Sequence, residues 1–75
     1  MPLKTMLKEL RKKNDLTQEH LAIKLNIGTR TYNTYETGNS RPSVELLTRI
    51  AKLYKIKFTL KFDENGEIHC SYESK

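Results

Sequence analysis

The apolar positions of this chain follow two periods. Up to about residue 55 they recur every three to four residues, the spacing of one buried helix face; from Ile56 onward they alternate with polar residues, the spacing of a half-buried strand. Leu3, Met6, Leu7 and Leu10 predict a first helix over about residues 2–13. Pro2 suits its first turn, and Asn14-Asp15 ends it by competing for local backbone hydrogen bonds. Thr17 is a good N-cap for a second helix with Leu21, Ala22 and Leu25 inside, and Asn26 suits a left-handed turn after it. A third helix over about residues 28–37 turns Tyr32 and Tyr35 inward. Ser43 caps a fourth, whose expected buried stripe is Leu47, Ile50, Ala51 and Tyr54 and which ends near Lys55.

The alternating tail predicts a hairpin. Ile56, Phe58, Leu60 and Phe62 lie on one side of the first strand, and Ile68, Cys70 and Tyr72 on one side of the second. A two-residue Asn65-Gly66 turn would set Glu64 against Glu67 and send Ile68 to the face opposite Phe62. A three-residue loop, Glu64-Asn65-Gly66, pairs Phe62 with Ile68, Leu60 with Cys70 and Phe58 with Tyr72, so that all apolar residues share one face. The second register is expected, with Gly66 left-handed in a bulge. The fold class is therefore mainly α: four helices over residues 1–55 and a C-terminal β-hairpin over 56–75 in the same compact unit.

Within this frame the third helix stands apart. Its outer face reads Gly28, Thr29, Arg30, Thr31, Asn33, Thr34 and Thr37, short polar residues that are poor helix formers. A face needed only for solubility would more usually carry Glu and Lys. Charge sharpens this. The chain carries +5 overall, with 11 Lys/Arg against 5 Asp/Glu in residues 1–55 and 3 against 4 in the tail. The basic character belongs to the helices and points to an anionic partner, although a solubilising surface is the bland alternative. Cys70 is the sole cysteine, so no internal disulfide forms; it reads as a small core residue. His20 and His69 lie in different elements without ligand spacing, so neither a metal nor any other cofactor is expected. No phosphate loop, nucleophile triad or paired carboxylate appears, so no enzyme is expected. No apolar run is long enough for a membrane, and Met1-Pro2-Leu3-Lys4 lacks a secretion signal; the cytoplasm is the expected location.

Three segments together carry a specific resemblance: Leu16-Thr17-Gln18-Glu19-x-Leu21-Ala22-x-x-Leu25, Tyr35-Glu36-x-Gly38, and Arg41-Pro42-Ser43-x-Glu45-x-Leu47-x-x-Ile50-Ala51. From about Leu7 to Lys55 the chain resembles the Xre/Cro helix-turn-helix regulators, with the lambda-repressor-like fold. The resemblance implies a double-stranded DNA operator, palindromic if the protein is a homodimer. It places Thr29, Arg30, Asn33 and Thr34 against base edges. Gln18, Gly28, Thr31, Thr37, Asn39 and Arg41 fall against the phosphate backbone, with Gln18 also bracing the third helix, and Arg11 and Glu36 form an ion pair from helix 1 to the end of helix 3. Arg30 can donate twice to guanine, Asn33 can pair with adenine, and threonine methyls can meet thymine methyls. One departure is the Gly28 cap, where Ser or Thr is usual; another is the Tyr32–Tyr35 pair in place of the commoner aliphatic and aromatic one, with rings expected inward and hydroxyls reaching solvent or a phosphate.

The tail departs too, since many of these regulators continue with a fifth helix. The apolar hairpin face, Phe58, Leu60, Phe62, Ile68 and Tyr72, is expected to form the dimer contact. A helical domain followed by a short β element resembles HipB-type antitoxins, which repress their own operon and bind a toxin protein. A stand-alone phage or mobile-element regulator, or a protein-interaction module retaining the fold, are the alternatives.

Overall fold

The computed structural model describes residues 2–74. In chain order it contains α1 (Leu3–Lys13), α2 (Gln18–Leu25), α3 (Thr29–Thr37), α4 (Val44–Tyr54), β1 (Ile56–Phe62) and β2 (Ile68–Ser74). Leu3, Met6, Leu7 and Leu10 of α1 are all buried, as the stripe predicts. Asn14 closes that helix by donating from Nδ2 to the Leu10 carbonyl at 2.8 Å. The chain then turns through Asp15 in the left-handed region, at φ 55°.

The caps are those of the sequence. The Thr17 hydroxyl accepts from the His20 N–H at 3.0 Å, and the Ser43 hydroxyl from the Leu46 N–H at 3.1 Å. Each satisfies a donor that the helix itself leaves unpaired. Asn26 is left-handed, at φ 58°. Gly28 is the N-cap of the third helix, as the sequence predicts, and supplies no side-chain bond. The α4 stripe also differs. Leu46, Leu47 and Ile50 are buried, while Ala51 and Tyr54 are half-buried. The helix packs on α2 as well as on β1, and Arg49 donates to the Leu25 carbonyl of α2.

The hairpin has the register argued from its apolar residues, with Phe62 opposite Ile68, Leu60 opposite Cys70 and Phe58 opposite Tyr72. Gly66 is left-handed at φ 79°, and the Asp63 N–H donates to the Glu67 carbonyl at 3.0 Å, closing the three-residue loop. The Asp63 carboxylate accepts the Asn65 and Glu67 N–H groups, both at 2.9 Å, which fixes the turn further.

One core unites helices and hairpin. Met6, Leu7, Leu10, Leu21, Leu25, Tyr32 and Ile50 form its most buried part, and Ile56 and Cys70 extend it into the strands. β1 packs on α4 and β2 on α1. No helix among the described residues is long and apolar enough to cross a membrane.

Candidate nucleic-acid interface

The α2–α3 connection is short because Asn26 reverses the chain and the Ile27 N–H returns to the Ala22 carbonyl at 3.0 Å. Ala22 is 1% exposed, and its small side chain lets the two helices approach closely. Tyr32 anchors α3 in the core, with the Tyr35 ring edge-on to it at 6.3 Å. The opposite face of α3 is thereby turned outward. Thr29, Arg30, Thr31, Asn33 and Thr37 are exposed and Thr34 is half-buried, so the expected readers share one surface.

That surface is braced from within. Arg11 makes a two-pronged contact with the Glu36 carboxylate, Nε to Oε2 at 2.7 Å and Nη2 to Oε1 at 3.1 Å. Its remaining terminal nitrogen donates to the Leu16 carbonyl at 2.9 Å. Gln18 Nε2 donates to Glu36 Oε1 at 3.1 Å, and Asn33 Nδ2 donates to Gln18 Oε1 at 3.1 Å. A chain of hydrogen bonds thus runs from the buried ion pair to the exposed face of α3. Burial works against the Glu36 charge, but the bonds from its neighbours, Arg11 first, outweigh it and hold the carboxyl below its usual range. The same contact raises Arg11.

The sequence expectation for Tyr32 needs correction. Its hydroxyl reaches neither solvent nor a phosphate position but is buried, because α3 is drawn down onto α1 by the ion pair. Burial, and secondarily the nearby Glu36 carboxylate, raise its pKa. Among the described residues no acceptor meets it in hydrogen-bonding geometry. The Tyr54 hydroxyl is similarly enclosed, and burial pushes it up to about 12.

The loop after α3 is held by its own polar groups. The Thr34 hydroxyl donates to the Thr31 carbonyl at 2.6 Å and shares a short hydrogen bond with the Ser40 hydroxyl, leaving mainly its methyl for outside contact. The Thr37 hydroxyl donates to the Thr34 carbonyl at 3.1 Å and accepts from the Asn39 N–H at 3.4 Å. Arg41 extends to the hairpin tip, where Nη2 lies 3.4 Å from the Gly66 carbonyl. Sequence reasoning did not single out Ser40, and it gave Gln18 as a brace of the third helix without naming Asn33 as the partner. A Ser in the loop after a helix was the available signal for the first; the Gln18–Asn33 bond links residues fifteen apart and needs the α2–α3 crossing to be known.

The expected dimer residues divide. Phe58, Leu60 and Tyr72 are half-buried against the core and Ile68 is half-buried, while Phe62 is 70% exposed. At the hairpin tip, donor atoms of Asp63, Glu67 and His69 lie within 4.8 Å of one another. The turn bonds already described and a 2.9 Å contact from His69 Nε2 to Asp63 Oδ2 account for that grouping.

A helix-turn-helix family model matches residues 7–61, which extends past the helices into β1. Over 50 residues the chain is 36% identical to a cryptic phage CTXphi transcriptional repressor, RstR, of Vibrio cholerae, a match covering 67% of this chain and 45% of that protein. It is 40% identical over 55 residues to an uncharacterized HTH-type transcriptional regulator of Methanocaldococcus jannaschii, covering 73% of this chain and 83% of the relative. It is 38% identical over 56 residues to the HTH-type transcriptional regulator ImmR of Bacillus subtilis, covering 75% and 44% respectively. The chain therefore spans less than half the length of several relatives that it matches. No solved structure matches it significantly. With well over half of its residues inside the family model, and with the braced α2–α3 pair that defines the motif, this chain belongs to the helix-turn-helix family of Xre/Cro type.

Proposed function

We propose that the protein is a sequence-specific, double-stranded-DNA-binding transcriptional regulator that represses as a homodimer. The hydrogen-bond chain from Glu36 through Gln18 to Asn33 carries this reading. Asn33 spends one N–H on Gln18 and keeps one N–H and its carbonyl oxygen, the pair that adenine reads in the major groove. Gln18 likewise keeps one N–H, which suits a phosphate oxygen. Arg30 stands exposed one turn earlier on the same helix and offers two donors to guanine. Thr29 and the Thr34 methyl complete the base-facing set. Gly28 and Thr31 at the start of α3, with Thr37, Asn39 and Arg41 at its end, flank that set as backbone contacts, supplying register without sequence information.

A dimer supports repression of a palindromic site, with two α3 helices about 34 Å apart, one DNA turn. A toxin partner has only the helix-plus-hairpin architecture in its favour.

The test is a bound sequence selected from random duplexes. Arg30→Ala and Asn33→Ala should each weaken binding by about 1–3 kcal/mol and relax preference at one base position per half-site. Unchanged affinity in both variants would remove α3 from the groove.

A further inference from the structure

β1 is a palindrome in residue class. Ile56-Lys57-Phe58-Thr59-Leu60-Lys61-Phe62 reads apolar, Lys, apolar, Thr, apolar, Lys, apolar from either end. One edge of this strand pairs with β2, and among the described residues no strand pairs with the other. We propose that this open edge is where a second copy of the chain docks, the two β1 strands running antiparallel with Thr59 on the two-fold axis. The inference rests on the homodimeric reading above and gives it a register.

The backbone sets the register. Asp63 and Glu67 form a hydrogen-bonded pair, and hydrogen-bonded and non-bonded pairs alternate along an antiparallel ladder. Lys57, Thr59 and Lys61 therefore aim their N–H and C=O groups at β2, and Ile56, Phe58, Leu60 and Phe62 aim theirs at the open edge. A symmetric partner must match outward residue to outward residue. Thr59 on the axis is the arrangement that uses the whole strand, joining Phe58 to the partner's Leu60 and Ile56 to the partner's Phe62. A sheet of two strands is marginal alone, and this pairing makes it four.

The side chains fit the same register. Phe62 is 70% exposed and Val44 is 75% exposed. A groove of about 270 Å³ lies between α4 and β1, with Val44, Leu47, Thr48 and Ala51 on one wall and Ile56 and Phe58 on the other. Pairing Ile56 with the partner's Phe62 lays that exposed ring at the mouth of the groove, and symmetry repeats the contact. A like-charge approach, Lys57 beside the partner's Lys61 and repeated by symmetry, opposes the register. It is offset because Lys57 already lies across from Glu73 within its own hairpin.

Sedimentation and mild oxidation of the wild type, Phe62→Lys, Thr59→Cys and Lys57→Cys proteins test this, with circular dichroism checking that each is folded. Wild type should be a dimer. Thr59→Cys should be trapped by mild oxidation as a disulfide-linked pair, because facing residues of a non-bonded pair lie about 4.5 Å apart at Cα. Wild type and Lys57→Cys should give no such product, Cys70 being buried. Phe62→Lys should weaken the dimer at least about 100-fold, since two rings lose their burial together. A wild-type dimer that Thr59→Cys does not trap, or that Phe62→Lys leaves unchanged, overturns this register while leaving a hairpin dimer standing. A wild type that is monomeric both free and on DNA overturns both.

Discussion

Glu36 is the residue on which most of the site depends. Its side chain is 3% exposed, and its two oxygens take bonds from Arg11 and Gln18. The Gln18 amide is thereby oriented, since its nitrogen must face the carboxylate and its oxygen must face Asn33. Replacing Glu36 with Gln keeps the shape but removes the charge, leaves Arg11 without its counter-ion, and lets the Gln18 amide turn over. The expected result is a loss of stability of about 2–3 kcal/mol in urea titration, at the low side for a broken buried pair because Arg11 keeps some solvent contact. A weaker preference for adenine at the Asn33 position should accompany it. The pH dependence has a definite sign. A carboxyl held below its ordinary 4.5 contributes stability that is present above 4.5 and is lost as pH falls through the depressed value. Glu36→Gln should therefore lose less stability on acidification than wild type. Equal acid slopes in the two proteins would show that the pair is energetically idle.

At the scale of elements, the hairpin shows how much was legible. Its register followed from one requirement, that Ile68 and Phe62 share a face, and the observed pairing and the left-handed Gly66 meet it. Both sides of that argument are local. The burial of Leu46 in α4 and that of the Tyr32 hydroxyl were not legible, because each depends on which neighbour an amphipathic face meets. The proposed readers of α3 lay on the outward face that the Tyr32–Tyr35 spacing requires, but the Gln18 bond that orients one of them is tertiary. The place where α4 gives way to β1 was legible from the change of period, but the backbone conformation taken there was not. Lys55 turns the chain directly from helix to strand at φ 57°, a conformation that costs an L-residue with a side chain roughly 1–2 kcal/mol. Glycine adopts it without that cost but loses more entropy on folding. Lys55→Gly should thus stabilise the protein by about 0.5–1 kcal/mol, seen as a higher urea midpoint with an unchanged slope, while Lys55→Val should destabilise it.

Over the whole molecule, the hairpin also braces the loop that follows α3. Its tip meets Arg41, β2 is bridged to Pro2 at His69, and Lys4 lies across Gly38 so closely that an added Cβ there would sit 3.0 Å from the Lys4 Cδ. The last contact sets a cation at the C-terminal end of α3, where the helix dipole favours one. Charge is divided along the same line, since the excess of Lys and Arg lies in residues 1–55 and the tail is slightly acidic. Each phosphate neutralised by Lys or Arg releases counterions, so log affinity should fall linearly with log salt concentration. Arg41 has only a long 3.4 Å contact to give up at the hairpin tip, and a passing phosphate offers a stronger, charge-assisted one. Arg41→Gln should therefore flatten the salt slope by about 0.9 per subunit while leaving base preference alone. Lys57→Gln, on the hairpin, should leave the slope as it is when measured well above the dimerisation range. If the two variants changed the slope equally, the DNA path would have to include the hairpin, and the division of labour between helices and strands would be wrong.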